Sequence, residues 1–220
     1  MKLIIRKTHK YLSLFISLQL LLWTISGIYF AFNKIELVRG EQYRLTESFP
    51  VNFNEVNFSR SDVYQIKAIK RLDEIIFVVN ASKGTEYLNA LGTPVSKLSK
   101  SEVFEIVSSS STLEPIDLEE ISESSKGSEF RGRDLPLYKV TSLNDKDKKI
   151  NLYLNVFSGE ITAVRSLQWR IWDLMWGFHI MDWQTRDRIN NIFLKIFSIL
   201  ALVSSISGIM LFFRVDFNSK

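Results

Sequence analysis

Residues 11 to 32 read YLSLFISLQLLLWTISGIYFAF, twenty-two positions without a formal charge. Wound as a helix at 1.5 Å per residue, such a run covers about 33 Å, enough for a hydrocarbon core of roughly 30 Å. A cleaved signal peptide has a shorter apolar core and a small-x-small cleavage site after it; this run has neither and reads as an uncleaved anchor. Residues 192 to 213, IFLKIFSILALVSSISGIMLFF, repeat the pattern with one charge, Lys195, near enough to the end to snorkel to the headgroups. Two such runs in one chain argue for two membrane spans rather than for the core helix of a soluble protein.

The flanks of these runs give an orientation. Lys2, Arg6, Lys7 and Lys10 precede the first run without an acid, whereas the segment after it mixes Lys34, Glu36, Arg39 and Glu41. Positive residues stay inside, so the N-terminus is expected in the cytoplasm. A second crossing returns the chain to that side, where Arg214 and Lys220 face only Asp216. Arg186, Arg188 and Lys195 lie on the outer side against the rule, which long translocated loops obey poorly. The expected plan is a cytoplasmic tail (1–10), a first transmembrane helix (11–32), an extracytoplasmic domain (33–165), an interfacial aromatic helix (166–189), a second transmembrane helix (190–213) and a cytoplasmic tail (214–220).

Small residues recur four apart in both runs: Ser13 with Ser17 and Gly27 with Ala31, then Ala201 with Ser205 and Ser204 with Gly208. In lipid such pairs let helix backbones approach, so they are expected at a helix contact, within the chain or in a homodimer. Gln19 is expected to bond a neighbouring helix rather than to line a path.

Ahead of the second run, residues 169 to 188 read WRIWDLMWGFHIMDWQTRDR. Trp169, Trp172, Trp176 and Trp183 fall on one helical face, which suits a helix lying at the membrane surface. His179 falls on or beside that face, either as a hydrogen-bonded interfacial histidine or as a ligand.

Composition removes several functions. There is no cysteine, hence no disulfide, thiolate zinc site or iron–sulfur cluster. Residues 33 to 164 carry 17 basic and 20 acidic side chains, so the net charge of +4 comes from elsewhere and a nucleic-acid footprint is missing. HExxH, Gly-x-Ser-x-Gly and phosphate-loop motifs are absent, and two histidines are few for a triad or a zinc site. The acidic stretch Glu114 to Glu123 reads as solvated surface.

Between the runs, alternating apolar residues predict strands near Val63–Lys70, Glu74–Asn80, Thr85–Leu91, Leu137–Ser142, Lys149–Asn155 and Ile161–Val164. Ser99 followed by Glu102 forms a capping box that starts a helix over Lys100 to about Ser108. Residues 112 to 129 are either a weak second helix or a loop. Glu86-Tyr87-Leu88-Asn89-Ala90-Leu91-Gly92 is echoed by Leu152-Tyr153-Leu154-Asn155-Val156-Phe157-Ser158-Gly159, each copy ending a hairpin in a glycine-containing turn.

The second copy, with LPLYKVTSL, its polar turn, INLYLNVFSGEITAV and the helix before it (about 98–165), resembles a PepSY domain. The first copy resembles a reduced partner lacking its helix. THKYLSLFISLQLLLWTISGIYFAF and WGFHIMDWQTRDRINN resemble the first helix and the pre-helix segment of PepSY-associated membrane proteins, each with a histidine. The resemblance implies an α+β extracytoplasmic domain of two PepSY-like copies, a helix with a β-hairpin and a reduced first copy, between two transmembrane helices of the bacterial inner membrane. It also implies a binding or regulatory module with an extracytoplasmic protein partner and no catalysis of its own.

A second implication comes from longer PepSY-associated proteins that resemble haem-bearing ferric reductases. There His9 and His179 stand at positions of candidate ligands to haem b. The reading places them on opposite faces of a core about 30 Å thick, so one haem cannot use both; a two-fold dimer would pair each with its own copy.

Overall fold

A computed structural model describes residues 2–216 except 47, 53, 55 and 58–60; Met1 and residues 217–220, including Lys220 of the expected cytoplasmic tail, lie outside the described residues. The chain is α+β with two antiparallel sheets and two long apolar helices. It divides into two compact units, one of residues 1–35 and 170–220 and the other of Glu36–Trp169.

The first unit is helical. Helix α1 spans Lys2–Phe32, so the basic residues expected to form a tail continue the helix; residues 2 to 10 hold no proline or glycine to stop it. Helix α5, Ile192–Asp216, opens where the Asn191 side chain accepts the Leu194 N–H at 2.9 Å. Both helices are long and apolar enough to cross a membrane. Their apolar residues point outward: Leu14 is 71% exposed, Leu18 69%, Ile199 62% and Leu202 60%. A core helix of a soluble protein would hide such side chains.

α1 and α5 run antiparallel, joined by a polar seam. Ser13 Oγ lies 2.8 Å from Ser204 Oγ, His9 Nδ1 lies 2.9 Å from Ser207 Oγ, and Phe15 stacks on Phe197. Gly208 lets the helices approach, since a Cβ there would come within 3.1 Å of His9 Cε1. Ser204 is buried at the same contact. At Gly27, by contrast, a Cβ would meet nothing within 4 Å, and Ala31 is exposed, so this small pair makes no close helix contact within the chain.

The expected surface helix has a different setting. Helix α4, Leu167–Ile180, crosses the boundary of the two units between Trp169 and Arg170. From Arg170 onward it packs along the C-terminal half of α1 instead of presenting a tryptophan stripe. Trp172 and Trp176 stack on each other and against Phe30, Gln19 Nε2 donates to the Phe178 carbonyl (3.1 Å), and Trp23 Nε1 donates to that of His179 (2.6 Å). Trp183 lies beyond the helix, against Phe193. Thus α1 meets α4 on one stretch and α5 on the next. The connection is pinned by Arg186, whose Nη1 bonds the buried Asp173 carboxylate at 2.7 Å.

The second unit opens with a short helix α2, Ile35–Val38, and a 3-10 turn, Glu41–Tyr43. Strands β1 (Val63–Arg71), β2 (Glu74–Ala81) and β3 (Gly84–Leu88) form one antiparallel sheet in sequence order. Helix α3, Lys100–Ser110, precedes β4 (Glu114–Ile121), β5 (Leu137–Leu143), β6 (Lys149–Asn155) and β7 (Ile161–Arg165), a four-stranded sheet also in sequence order. Val103, Ile106 and Val107 of α3 bury against Val140, Leu152, Leu154 and Val164 to make the main core. A smaller core gathers Phe77, Val79 and Leu88.

β4 occupies the residues left open between helix and loop, and it is the edge of its sheet. Pro115 and a register shift between Pro115 and Asp117 break its alternation, and Glu119 and Glu120 pair with Lys139 and Lys97. Charges and proline are what a solvent-facing edge strand tolerates. β3 stops at Leu88, earlier than the expected Leu91, because the Asn89 carboxamide accepts the N–H groups of Leu91 and Thr93. The echo of this motif repeats its chemistry: Asn155 accepts from Phe157 and Ser158, and Gly92 and Gly159 both adopt positive φ. The copies also touch, through Asn155 Nδ2 to Tyr87 Oη at 2.7 Å and the stacking of Tyr87 on Phe157.

The capping box is complete, with the Glu102 N–H bonding Ser99 Oγ and the Ser99 N–H bonding the Glu102 carboxylate at 2.7 Å. Those bonds from Ser99, followed by the charge of Arg71, hold the Glu102 carboxyl below its ordinary range. A depressed carboxyl stabilises the fold above its unfolded pKa and loses that contribution as pH falls through the folded value. Ser99→Ala is therefore expected to cost about 1 kcal/mol. Glu102→Gln is expected to shrink the fall in melting temperature between pH 6 and acidic pH, as read by thermal unfolding of the full chain in detergent.

Candidate functional site

Two places concentrate chemistry, one in each unit. In the helical unit, the histidines are fixed through one ring nitrogen. Ser207 Oγ donates to the Ser204 carbonyl at 2.8 Å, which uses its only hydrogen. His9 Nδ1, 2.9 Å from that hydroxyl and 3.2 Å from the same carbonyl, must then carry the proton. At His179 the arrangement is similar: Ser26 Oγ lies 2.7 Å from Nδ1 and 2.7 Å from the Leu22 carbonyl. If the carbonyl takes the hydroxyl hydrogen, Nδ1–H donates to serine here as well. Among the described residues neither Nε2 has a hydrogen-bond partner.

His179 does not sit at the end of the apolar run. It lies opposite Trp23 and Ser26, in a cluster with Phe30 and with Trp176, on which it stacks at 8°. Ser26 is about 9 Å along the helix axis from Phe32. From His9 to Ser26 the same rise gives about 25 Å, so the two histidines remain too far apart to ligate one iron. Lys195 is exposed on the first turn of α5, and Gln19 makes the expected bond to a neighbouring helix.

In the sheet-bearing unit, the notable feature is a cavity of about 580 Å³ with four arginines on its lining. Arg39 and Arg44 come from the segment around the 3-10 turn, Arg133 from the loop before β5, and Arg165 from the end of β7. Gly40 makes this convergence possible. Its φ of +77° suits glycine, and a Cβ would come within 2.6 Å of Val164 Cγ1, so the chain between Arg39 and Arg44 lies directly on β7. Glu41 is the single carboxylate on the lining.

Arg165 is the buried floor. Its Nε donates to the Glu129 carbonyl at 2.7 Å, Nη1 donates to the Val164 carbonyl at 3.1 Å, and the plane lies 4.1 Å from the Trp169 ring. Arg44 Nη1 donates to the Ile161 carbonyl at 2.7 Å. Arg39 and Arg133 are exposed at the rim. Burial pushes Arg165 down to about 10, with Arg133 and Arg131 adding to the effect and Glu129 opposing it. Burial and then the charge of Arg133 also lower Arg44. The cations therefore press on one another. Among the described residues no carboxylate lies within salt-bridge distance of Arg39, Arg44, Arg133 or Arg165.

A second cavity of about 380 Å³ adjoins, sharing Arg44 and Thr46 and running past Ile69, Leu72 and Ile106. The protein compares with no family model, no curated protein and no solved structure closely enough to match. The site therefore rests on its geometry. Sequence reasoning missed the arginine cavity because its members come from three separate places and are diluted by neighbouring acids. Arg39 read only as part of a mixed flank, and nothing marked Arg133 or Arg165. A possible signal was Gly40, a glycine between two charged residues where no turn was needed to link strands.

Proposed function

We propose that the chain is a two-pass protein of the bacterial inner membrane that presents Glu36–Trp169 on the extracytoplasmic face as a PepSY-like binding or regulatory module. The reading is supported by one observation above others: two helices with outward-facing apolar surfaces flank, in sequence, a self-contained unit that has its own cores and an open cavity lined by unneutralised guanidinium groups. The order of a capped helix, an antiparallel sheet and the Asn-anchored turn at Gly159 agrees with the resemblance. The partner of such a module is an extracytoplasmic protein.

Two outcomes follow for the full chain in membranes. Protease added from the cytoplasmic side leaves residues 36 to 169 intact, and protease from the outer side cuts them. Removal of residues 98–165 leaves the protein in the membrane and ends capture of its partner; capture unchanged by the deletion contradicts the reading.

A second reading has its own support: both histidines are anchored through Nδ1, which leaves Nε2 able to offer a lone pair. Histidines that ligate haem iron are held in this way by a second hydrogen bond. His179, among Trp23, Phe30 and Trp176, has the apolar surroundings that a macrocycle needs. His9 fits less well, because its ring lies against Gly208. With about 25 Å between them, the two would not hold one haem together; each would hold one jointly with a residue of another copy of the chain, and haem would supply one-electron chemistry. The detergent-purified protein expressed with added haem is then expected to show a Soret band that weakens in His179→Ala. No band in the wild type removes this reading.

A further inference from the structure

We infer that the arginine cavity of the sheet-bearing unit is a binding site for a phosphate group, carried by a free phosphate or by a lipid headgroup. The inference rests on the binding-module reading and gives that module a ligand class.

The argument is one of charge and shape. Four arginines and one glutamate are on the lining of the cavity, an excess of about three positive charges around a space of about 580 Å³. Like charges held together this way are unfavourable unless something neutralises them. Arg44 and Arg165 are fixed by backbone carbonyls of the β7 region and the Glu129 loop, so the repulsion is not relieved by swinging those side chains into solvent. Burial is the main reason both cations are depressed, and the part that comes from Arg133 is the same crowding. An anion bound among them would remove it.

A phosphate group suits the cavity better than a carboxylate. A carboxylate is satisfied by one bidentate guanidinium, which would leave three cations facing each other. A phosphate offers three acceptor oxygens and up to two negative charges, so several arginines can share it. All four cations are arginine, none lysine, and the planar fork is the group that pairs with phosphate oxygens two at a time. Thr46 is also on the lining; Thr162 is there too, but its hydroxyl hydrogen goes to the Tyr153 carbonyl, so the positive charge of the arginines and not this hydroxyl is what would hold the anion. The rim position of Arg39 and Arg133 leaves an entrance.

The test uses the full chain in neutral detergent and reads its melting temperature, since a ligand that binds only the folded state raises it. The probes are inorganic phosphate, compared with chloride at equal ionic strength, and dioctanoyl phosphatidic acid, compared with dioctanoylglycerol. Wild type is expected to shift upward by a few degrees with a phosphate-bearing probe. Arg133→Ala, a rim change that breaks no side-chain hydrogen bond of the described residues, is expected to abolish the shift and, since it removes one of the crowded charges, not to lower the unliganded melting temperature. Lys146→Ala, which removes the same charge from an exposed turn elsewhere, is expected to keep it.

A shift with both probes assigns the site to free phosphate as well as headgroups, and a shift with phosphatidic acid alone assigns it to lipid. No shift with either probe overturns the inference, as does a shift that survives Arg133→Ala or falls equally in Lys146→Ala. Such a failure leaves the binding-module reading standing, because that reading is decided separately by the protease and deletion outcomes.

Discussion

An apolar helix face that a folded chain leaves uncovered is unfavourable in water and favourable in lipid. That constraint governs this protein. α1 and α5 touch along a narrow polar seam of Ser13, Ser204, His9 and Ser207, while Leu14, Leu18, Ile199 and Leu202 face away from it. Hydroxyl and imidazole groups on the inside and leucine on the outside invert the pattern of a water-soluble helix pair, and they suit a medium in which hydrophobic burial supplies no drive between helices. The buried Asp173–Arg186 pair and the Gln19 bond to the Phe178 carbonyl extend the same logic to α4.

The sheet-bearing unit follows the ordinary rules of aqueous folding. α3 is started by its capping box and held by Val103, Ile106 and Val107 on the four-stranded sheet. Gly159 shows how tight that packing is: a Cβ would come within 2.5 Å of Ile106 Cδ1. The fold places Gly40 on Val164 and so brings Arg39, Arg44 and Arg165 to one cavity with Arg133. The position of charge in this unit is thus set by a well-packed scaffold.

Much of this was legible in sequence because the signals were local. Six strands, the capping box at Ser99 and Glu102, and the two apolar helices depend on residues within a few positions of one another. β4 was not legible, since an edge strand interrupted by Pro115 and a bulge carries acids where a core strand carries valines. The setting of α4 was hidden for another reason. Tryptophan spacing gives a helical face but not its partner, and here Trp172 and Trp176 pack with Phe30 while Trp169 lies over Arg165 in the other unit. For the candidate sites, His9 and His179 stood out as the only histidines, but the serines nearest their rings, Ser207 and Ser26, come from more than 150 residues away. The arginine cavity depends on long-range convergence and left no periodic trace.

The proposed account depends most directly on lipid solvating α1 and α5, and alkaline carbonate extraction of membranes that contain the full chain tests this. Integral membrane helices stay with the bilayer pellet under that treatment, and this is the predicted result. Release of the intact chain into the supernatant, followed by a single monodisperse species without detergent, contradicts it.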